Sequence, residues 1–288
     1  MRNGTTLADI RAQSRALGIE RIGVTDHLDD PINDAQLRAC RAELDALDPE
    51  DREGFFFGVE VSTVREWDLN MLASTPEGTT FNLGGGGPPG SPIVYLPDEL
   101  CEELQFDYVL GGAHFPLGVT EDADLIRDWH SQQMCLATHP RIAVVAHPWR
   151  WLRAEFATDG SYRVLAMPWL GDFAVIPRSM HEEFAAALRE SDTACELHAG
   201  SFFEQLDRYG SFPSPPIEAY LDYCLLLRDA GVRFSIGSDS HGPGYDHSLV
   251  LRLSEPLATL DLTDSAIWHP DQSSRLRAAT PSTLVSSL

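Results

Sequence analysis

The chain contains no lysine: all 21 basic residues are arginine, set against 44 aspartates and glutamates, for a formal net charge of −23. So acidic a surface repels nucleic-acid phosphates and argues against a general nucleic-acid footprint. The arginine bias itself reads most simply as a solubility or codon-usage trait, because net charge informs on solubility and partners rather than on fold. An apolar run of 18 or more residues is also missing, so no membrane span is expected. The opening MRNGTTLADIRAQ lacks the charged start and apolar stretch of a secretory signal, and a cytoplasmic location is expected. Five cysteines (Cys40, Cys101, Cys135, Cys195 and Cys224) are scattered, odd in number and never spaced as CxxC. That pattern argues against a disulfide framework or a cysteine zinc site and leaves buried reduced thiols as the default.

What is present is enough for one sizeable core, with 288 residues and 43% hydrophobic content. Apolar positions Leu7, Ile10, Ala16 and Leu17 predict a helix over 6–18 that ends at Gly18. Helices are also predicted over 34–47, with Asn33 or Asp34 as cap, and near 122–138, 179–190 and 216–230. Strands are predicted in ERIGVTDH and FFFGVEVS, and over 107–113, 142–146, 193–197 and 233–237. Strands alternating with helices imply βαβ units and a parallel sheet, either open or closed into a barrel. Residues 84–92, GGGGPPGSP, cannot hold regular structure and are expected to form a mobile loop within the domain. The segment 157–178 resists assignment and reads as a surface excursion beside the site. One domain is expected over 1–254. Residues 255–288 form a C-terminal extension whose Ser/Thr-rich end is expected to be poorly ordered.

The informative fact is positional. Successive strand candidates end in metal-capable residues: Asp26 and His27 in VTDH, Glu60 in GVE, His114 in VLGGAH, His147 in VVAHP, and Asp239 and His241 in SIGSDSH. In parallel α/β barrels the C-terminal strand ends form a single rim, where residues spread over 200 positions can meet. Imidazoles mixed with carboxylates suit zinc, manganese or iron, whereas calcium and magnesium prefer all-oxygen sites. A single histidine after a strand is ordinarily a hydrogen-bonded polar residue, and a single carboxylate there is ordinarily a cap. Independent caps have no reason to recur at one strand end after another. His130, His139, His181 and His269 lie in helical or loop contexts and read as surface or structural.

The ordered set GIERIGVTDH, GVEVS, VLGGAHF, VVAHPWR and FSIGSDSHGP resembles the polymerase and histidinol phosphatase (PHP) superfamily over roughly residues 4–245. The resemblance implies an α/β fold, a distorted TIM-like (β/α)7 barrel, with a cluster of two or three divalent metal ions (Zn, Mn or Fe). Under it, Glu60 bridges two metals and His114 and His147 complete one of their sites. His27 and His241 serve a further metal, and Asp239 joins the metal that Glu60 also touches. It implies hydrolysis of a small phosphorylated metabolite or nucleotide by a metal-activated water.

The family opens with a strand carrying His-x-His, and no such motif precedes His27. The barrel is therefore expected without its first strand, which should lie just upstream of Met1. A misassigned start, a short form keeping only Glu60, His114 and His147, or a degenerate non-catalytic relative would each account for this. In ELHAG, His198 stands where the family pattern is Glu-x-Asn-like, as a ligand, a substrate contact or a rim residue. Arg150 and Arg153, in HPWRWLR, could fork onto phosphate oxygens or simply pair with surface carboxylates. Trp149 and Trp151 could wall the leaving group or pack beneath the loop. Two other functions use the same residues: a metal-dependent C–N hydrolase, and a metal-stabilised scaffold without activity.

Overall fold

Six strands run parallel in the order β1-β2-β4-β5-β8-β9, and their sheet curls into a half-barrel. They appear in a computed structural model that describes residues 5–29, 33–74, 87–156, 162–200, 216–240 and 247–272. The strands are β1 Ile22–Leu28, β2 Phe55–Val64, β4 Tyr108–Gly112, β5 Val144–Val145, β8 Ala194–His198 and β9 Phe234–Gly237. A two-residue strand, β3 Ile93–Val94, joins β2 antiparallel, and β6 Leu152–Phe156 pairs antiparallel with β7 Tyr162–Ala166 in a separate hairpin. Ten α-helices are found among the described residues: α1 Leu7–Ala16, α2 Asp34–Asp45, α3 Pro49–Arg52, α4 Glu66–Ser74, α5 Asp98–Leu104, α6 Asp122–Thr138, α7 Arg178–Glu190, α8 Ile217–Asp229, α9 Ser248–Arg252 and α10 Ser254–Leu260.

The predicted helix over 6–18 forms as α1, because Thr6 and Asp9 close a reciprocal capping box at its start. The caps expected for α2 do not form: Asn33 makes no side-chain cap bond and instead accepts from the Asp29 backbone N–H at 3.1 Å. Of the unassigned segment 157–178, residues 157–161 lie outside the described residues, and the rest holds β7, paired with β6, and two short 3-10 turns, 168–170 and 173–175. Residues 87–92 of the Gly/Pro segment are irregular, as expected, but they are tied down: Arg65 Nη1 donates to the Pro88 carbonyl at 2.7 Å. Arg65 is itself buried and forks onto Asp68, with Nε and Nη2 at 2.8 and 2.7 Å from the two carboxylate oxygens. Residues 84–86 and 273–288 lie outside the described residues. Beyond α10, Ile267 bridges Phe234 and Trp268 is buried against the Tyr108 ring, so 254–272 packs onto the sheet.

Register sets the level of the site. His27 lies opposite Glu60, Glu60 opposite Leu110, and Leu110 opposite Val144. On the far side His198 lies opposite Gly237. Among the described residues β1 and β9 end the sheet, and a cavity of about 1020 Å³ is lined by both of them, by Tyr108 and by Trp268. Tyr108 fits because its neighbours have no side chain; a Cβ on Gly58 would stand 2.5 Å from its Cζ. No helix among the described residues is long and apolar enough to cross a membrane.

Gly58→Val is expected to expel the Tyr108 ring and destabilise the fold by about 1–3 kcal/mol, as overpacked cores do. Urea unfolding measures this; an unchanged midpoint would show that Tyr108 does not occupy that space.

Candidate metal centre

Each predicted ligand that the structure describes sits at the same end of the sheet. His27 is the penultimate residue of β1, and Glu60 lies past the middle of β2. His114 and His147 stand two residues beyond β4 and β5, His198 ends β8, and Asp239 stands two beyond β9. His241 lies outside the described residues.

Three of these side chains meet atom to atom. His147 Nε2 is 3.0 Å from Glu60 Oε1, His114 Nε2 is 3.1 Å from the same oxygen, and the two Nε2 atoms are 3.1 Å apart. Two ligands held about 2.1 Å from one cation are themselves about 3.0–3.4 Å apart. The triangle has those proportions, and Glu60, His114 and His147 can hold a metal ion. One carboxylate with two imidazoles is a donor set for zinc, manganese or iron. All three residues are shielded from solvent, with Glu60 and His147 fully in the interior. Gly112 makes this approach possible, since a Cβ there would lie 2.6 Å from the His114 ring and 2.7 Å from the His147 ring.

Electrostatics favour the ligand forms of the groups. Burial opposes a charge on Glu60, but the imidazoles of His27, His114 and His147 outweigh it and hold the carboxyl well below the usual range. Burial pushes His147 and His198 down to about 3, so both rings are neutral at pH 7. Next to them, burial pushes Glu196 up to about 8, helped by the carboxylates of Asp239 and Glu60. Glu196 Oε2 accepts from the His147 backbone N–H at 2.6 Å. That bond steadies a strained residue, because His147 has φ +30 and Asp239 φ +50, in the left-handed region that side chains disfavour.

Around the triangle the remaining candidates separate. His27 packs edge-on to His114, with ring centroids 5.3 Å apart, and His27, Asp29 and His114 make a second group able to hold a cation. His198 is fully buried, 5.4 Å ring to ring from His147, with Nε2 3.7 Å from Asp239 Oδ2. Asp26 points to the other face of β1, where its carboxylate accepts from Gln36 at 2.6 Å and from Cys40 at 3.3 Å. Arg150 lines the cavity beside His147, and among the described residues its guanidinium carries no ion pair and leaves Nε without a hydrogen-bond partner. Arg153 turns the other way, to Met167 Sδ at 3.8 Å, and Trp149 and Trp151 are wholly interior packing rather than a wall of the cavity. Sequence reasoning passed over Asp29, Ser62 and Glu196. Ser62 had a signal: it stands two residues after Glu60, so both project from the same face of β2.

These shifts give a signed pH dependence for the metal-free protein. His147 and His198 at about 3, and His181 at about 4, stay neutral when folded, whereas an unfolded histidine protonates below about 6.5. Stability from these three rings is present above pH 6.5 and is lost as pH falls through about 4 for His181 and about 3 for His147 and His198. Glu196 acts oppositely: its folded proton persists to about 8, whereas an unfolded glutamate loses it near 4.3, so its stabilisation fades as pH rises toward 8. Thermal melts should therefore peak near pH 6.5–7, and Glu196→Gln should flatten the alkaline limb while steepening the acid limb above about pH 4.3. A Glu196→Gln protein with an unaltered alkaline limb would contradict a protonated Glu196.

No family model matches the chain, and no curated protein is significantly similar to it. What the molecule does has to be read from the cluster itself.

Proposed function

We propose that the protein is a metal-dependent phosphoesterase of the PHP type, acting on a small phosphorylated metabolite or nucleotide. The observation that carries this is the triangle of Glu60 Oε1, His114 Nε2 and His147 Nε2, three electron-rich atoms about 3 Å apart at the buried wall of the cavity. In this reading the cluster takes two or three zinc, manganese or iron ions, with His27, Asp239 and His241 extending it beyond the triangle. Bound there, divalent cations would acidify water and offset the charge of a phosphoryl group. The half-barrel is then part of a distorted (β/α)7 barrel, a reading supported by β1 and β9, which end the parallel sheet among the described residues and line one cavity between them.

The chain's own residues supply the remaining tasks. Glu60 is held ionised and His147 neutral, so neither must exchange a proton before serving as a donor. Arg150, which makes no ion pair among the described residues, can fork onto phosphoryl oxygens at the cavity wall. Trp149, Trp151 and Trp169 lie wholly in the interior near the loop that bears His147 and Arg150, keeping water from that side.

Purified protein supplied with manganese or zinc should turn over phosphomonoesters or diesters, and a chelator should abolish the activity. Glu60→Ala should cost about 100-fold or more, exceeding the loss typical of residues that only support a ligand. Arg150→Met should raise KM for phosphoesters about 10–100-fold, as for a lost charge-assisted hydrogen bond, while leaving metal content intact. Turnover of amides in place of phosphoesters would reassign the site to C–N hydrolysis, and tight metal binding without turnover of either would reassign it to a scaffold.

A further inference from the structure

The geometry points to Ser62 and Asp29 as positioning residues that set the tautomer of His114 and so direct its Nε2 lone pair into the triangle; this rests on Glu60, His114 and His147 being a cation site. The chain of contacts is short. His114 Nδ1 lies 2.7 Å from Ser62 Oγ, and the Ser62 hydroxyl donates to Asp29 Oδ1. Ser62 is fully buried on β2, so no solvent competes for its single proton.

Donor counting fixes the direction. A carboxylate only accepts, so the Ser62 proton is committed to Asp29 and its oxygen can offer His114 only a lone pair. His114 Nδ1 must then be the protonated nitrogen. In a neutral imidazole that leaves Nε2 bare, and Nε2 is the atom facing Glu60 Oε1 and His147 Nε2 at 3.1 Å. A bare nitrogen aimed at a carboxylate oxygen is repulsive until a cation lies between them. The relay thus prepares the ligand form of His114 before any metal arrives. Metal-binding histidines commonly fix their second nitrogen on a carboxylate, and here a serine is interposed.

Asp29 is held in place for this task. It follows β1 directly, and its backbone N–H donates to Asn33 Oδ1 at 3.1 Å, which replaces the helix cap that Asn33 would otherwise make. Asp29 Oδ1 is also 3.9 Å from His27 Nδ1. That distance is too long for a hydrogen bond and leaves Ser62 as the closer partner.

The test compares wild type, Ser62→Ala, Asp29→Ala and Glu60→Ala by zinc titration and by ring 15N NMR of His114 in the metal-free state. Expected are an Nδ1–H tautomer in the wild type, a mixed or Nε2–H tautomer in Ser62→Ala and Asp29→Ala, and a 10–100-fold weaker zinc affinity in both. An unchanged His114 tautomer in both variants overturns the relay, whatever the metal does. Loss of a whole zinc equivalent in Asp29→Ala, with Ser62→Ala normal, also overturns it, because Asp29 would then be a ligand of a second cation with His27. If the wild type and Glu60→Ala alike take up no zinc, the cation site itself fails, while the tautomer of the metal-free proteins still decides the relay. Asp29 lies in a partly exposed loop after β1, so its variant folds independently of any packing defect at Ser62.

Discussion

Everything at the rim depends on one crowded contact, in which a carboxylate oxygen and two imidazole nitrogens come within about 3.1 Å inside the protein. Such atoms repel unless protons or a cation lie among them, and burial weakens the screening that bulk water would give them. The surrounding structure is arranged to keep them there. Gly112 omits the Cβ that would push both rings apart, and the Glu196 carboxyl stays neutral beneath His147 so that no further negative charge is added. Parallel register then brings His27 level with Glu60, so the cluster extends across β1, β2, β4 and β5 without any long loop.

The charge distribution makes sense beside this contact. Most exterior arginines are spent on local pairs such as Arg38 with Glu103, Arg178 with Glu182 and Arg41 with Asp45. Exposed pairs of this kind contribute about 0–1 kcal/mol each, so they matter chiefly by cancelling charge. Arg65 is different, because its buried fork onto Asp68 anchors the Gly/Pro segment near β2. Arg150 differs again: among the described residues it makes no ion pair, and its Nε has no hydrogen-bond partner.

Much of this was legible in the sequence, for identifiable reasons. The six parallel strands announced themselves by short apolar runs bounded by polar residues, and α6 and α7 by amphipathic spacing. The short acidic helix α5 did not, because seven residues are too few to show a period, and the β6–β7 hairpin was hidden in a segment without clear alternation. At the site, the rule that ligands follow strand ends located His114 and His147 and the level of Glu60. It could not find Asp29 or Glu196, since these act through another residue and carry no spacing signature, and the spacing of Ser62 from Glu60 marks a shared face of β2 but not a partner. Nor could it separate Arg150, which lines the cavity, from Arg153, three positions on in β6, which meets Met167 Sδ instead.

The hairpin that sequence reasoning could not assign explains how the strained loop at His147 persists. His147 and Trp149 both have positive φ, at +30 and +54, and each such non-glycine costs about 1–3 kcal/mol. The 3-10 turn after the hairpin delivers Trp169 beneath that loop, where its indole N–H donates to the carbonyls of Trp149 and Arg150, both at 3.0 Å. The Trp169 ring also meets Trp149 edge-on at 5.1 Å, and Phe173 stacks on His181 at 5.5 Å under the same loop. Aromatic pairs of this type add about 0.5–1.5 kcal/mol beyond their burial, and each hydrogen bond about as much, which together offset the strain. The excursion therefore belongs to the site: it holds the backbone that turns His147 toward Glu60 and leaves Arg150 facing the cavity.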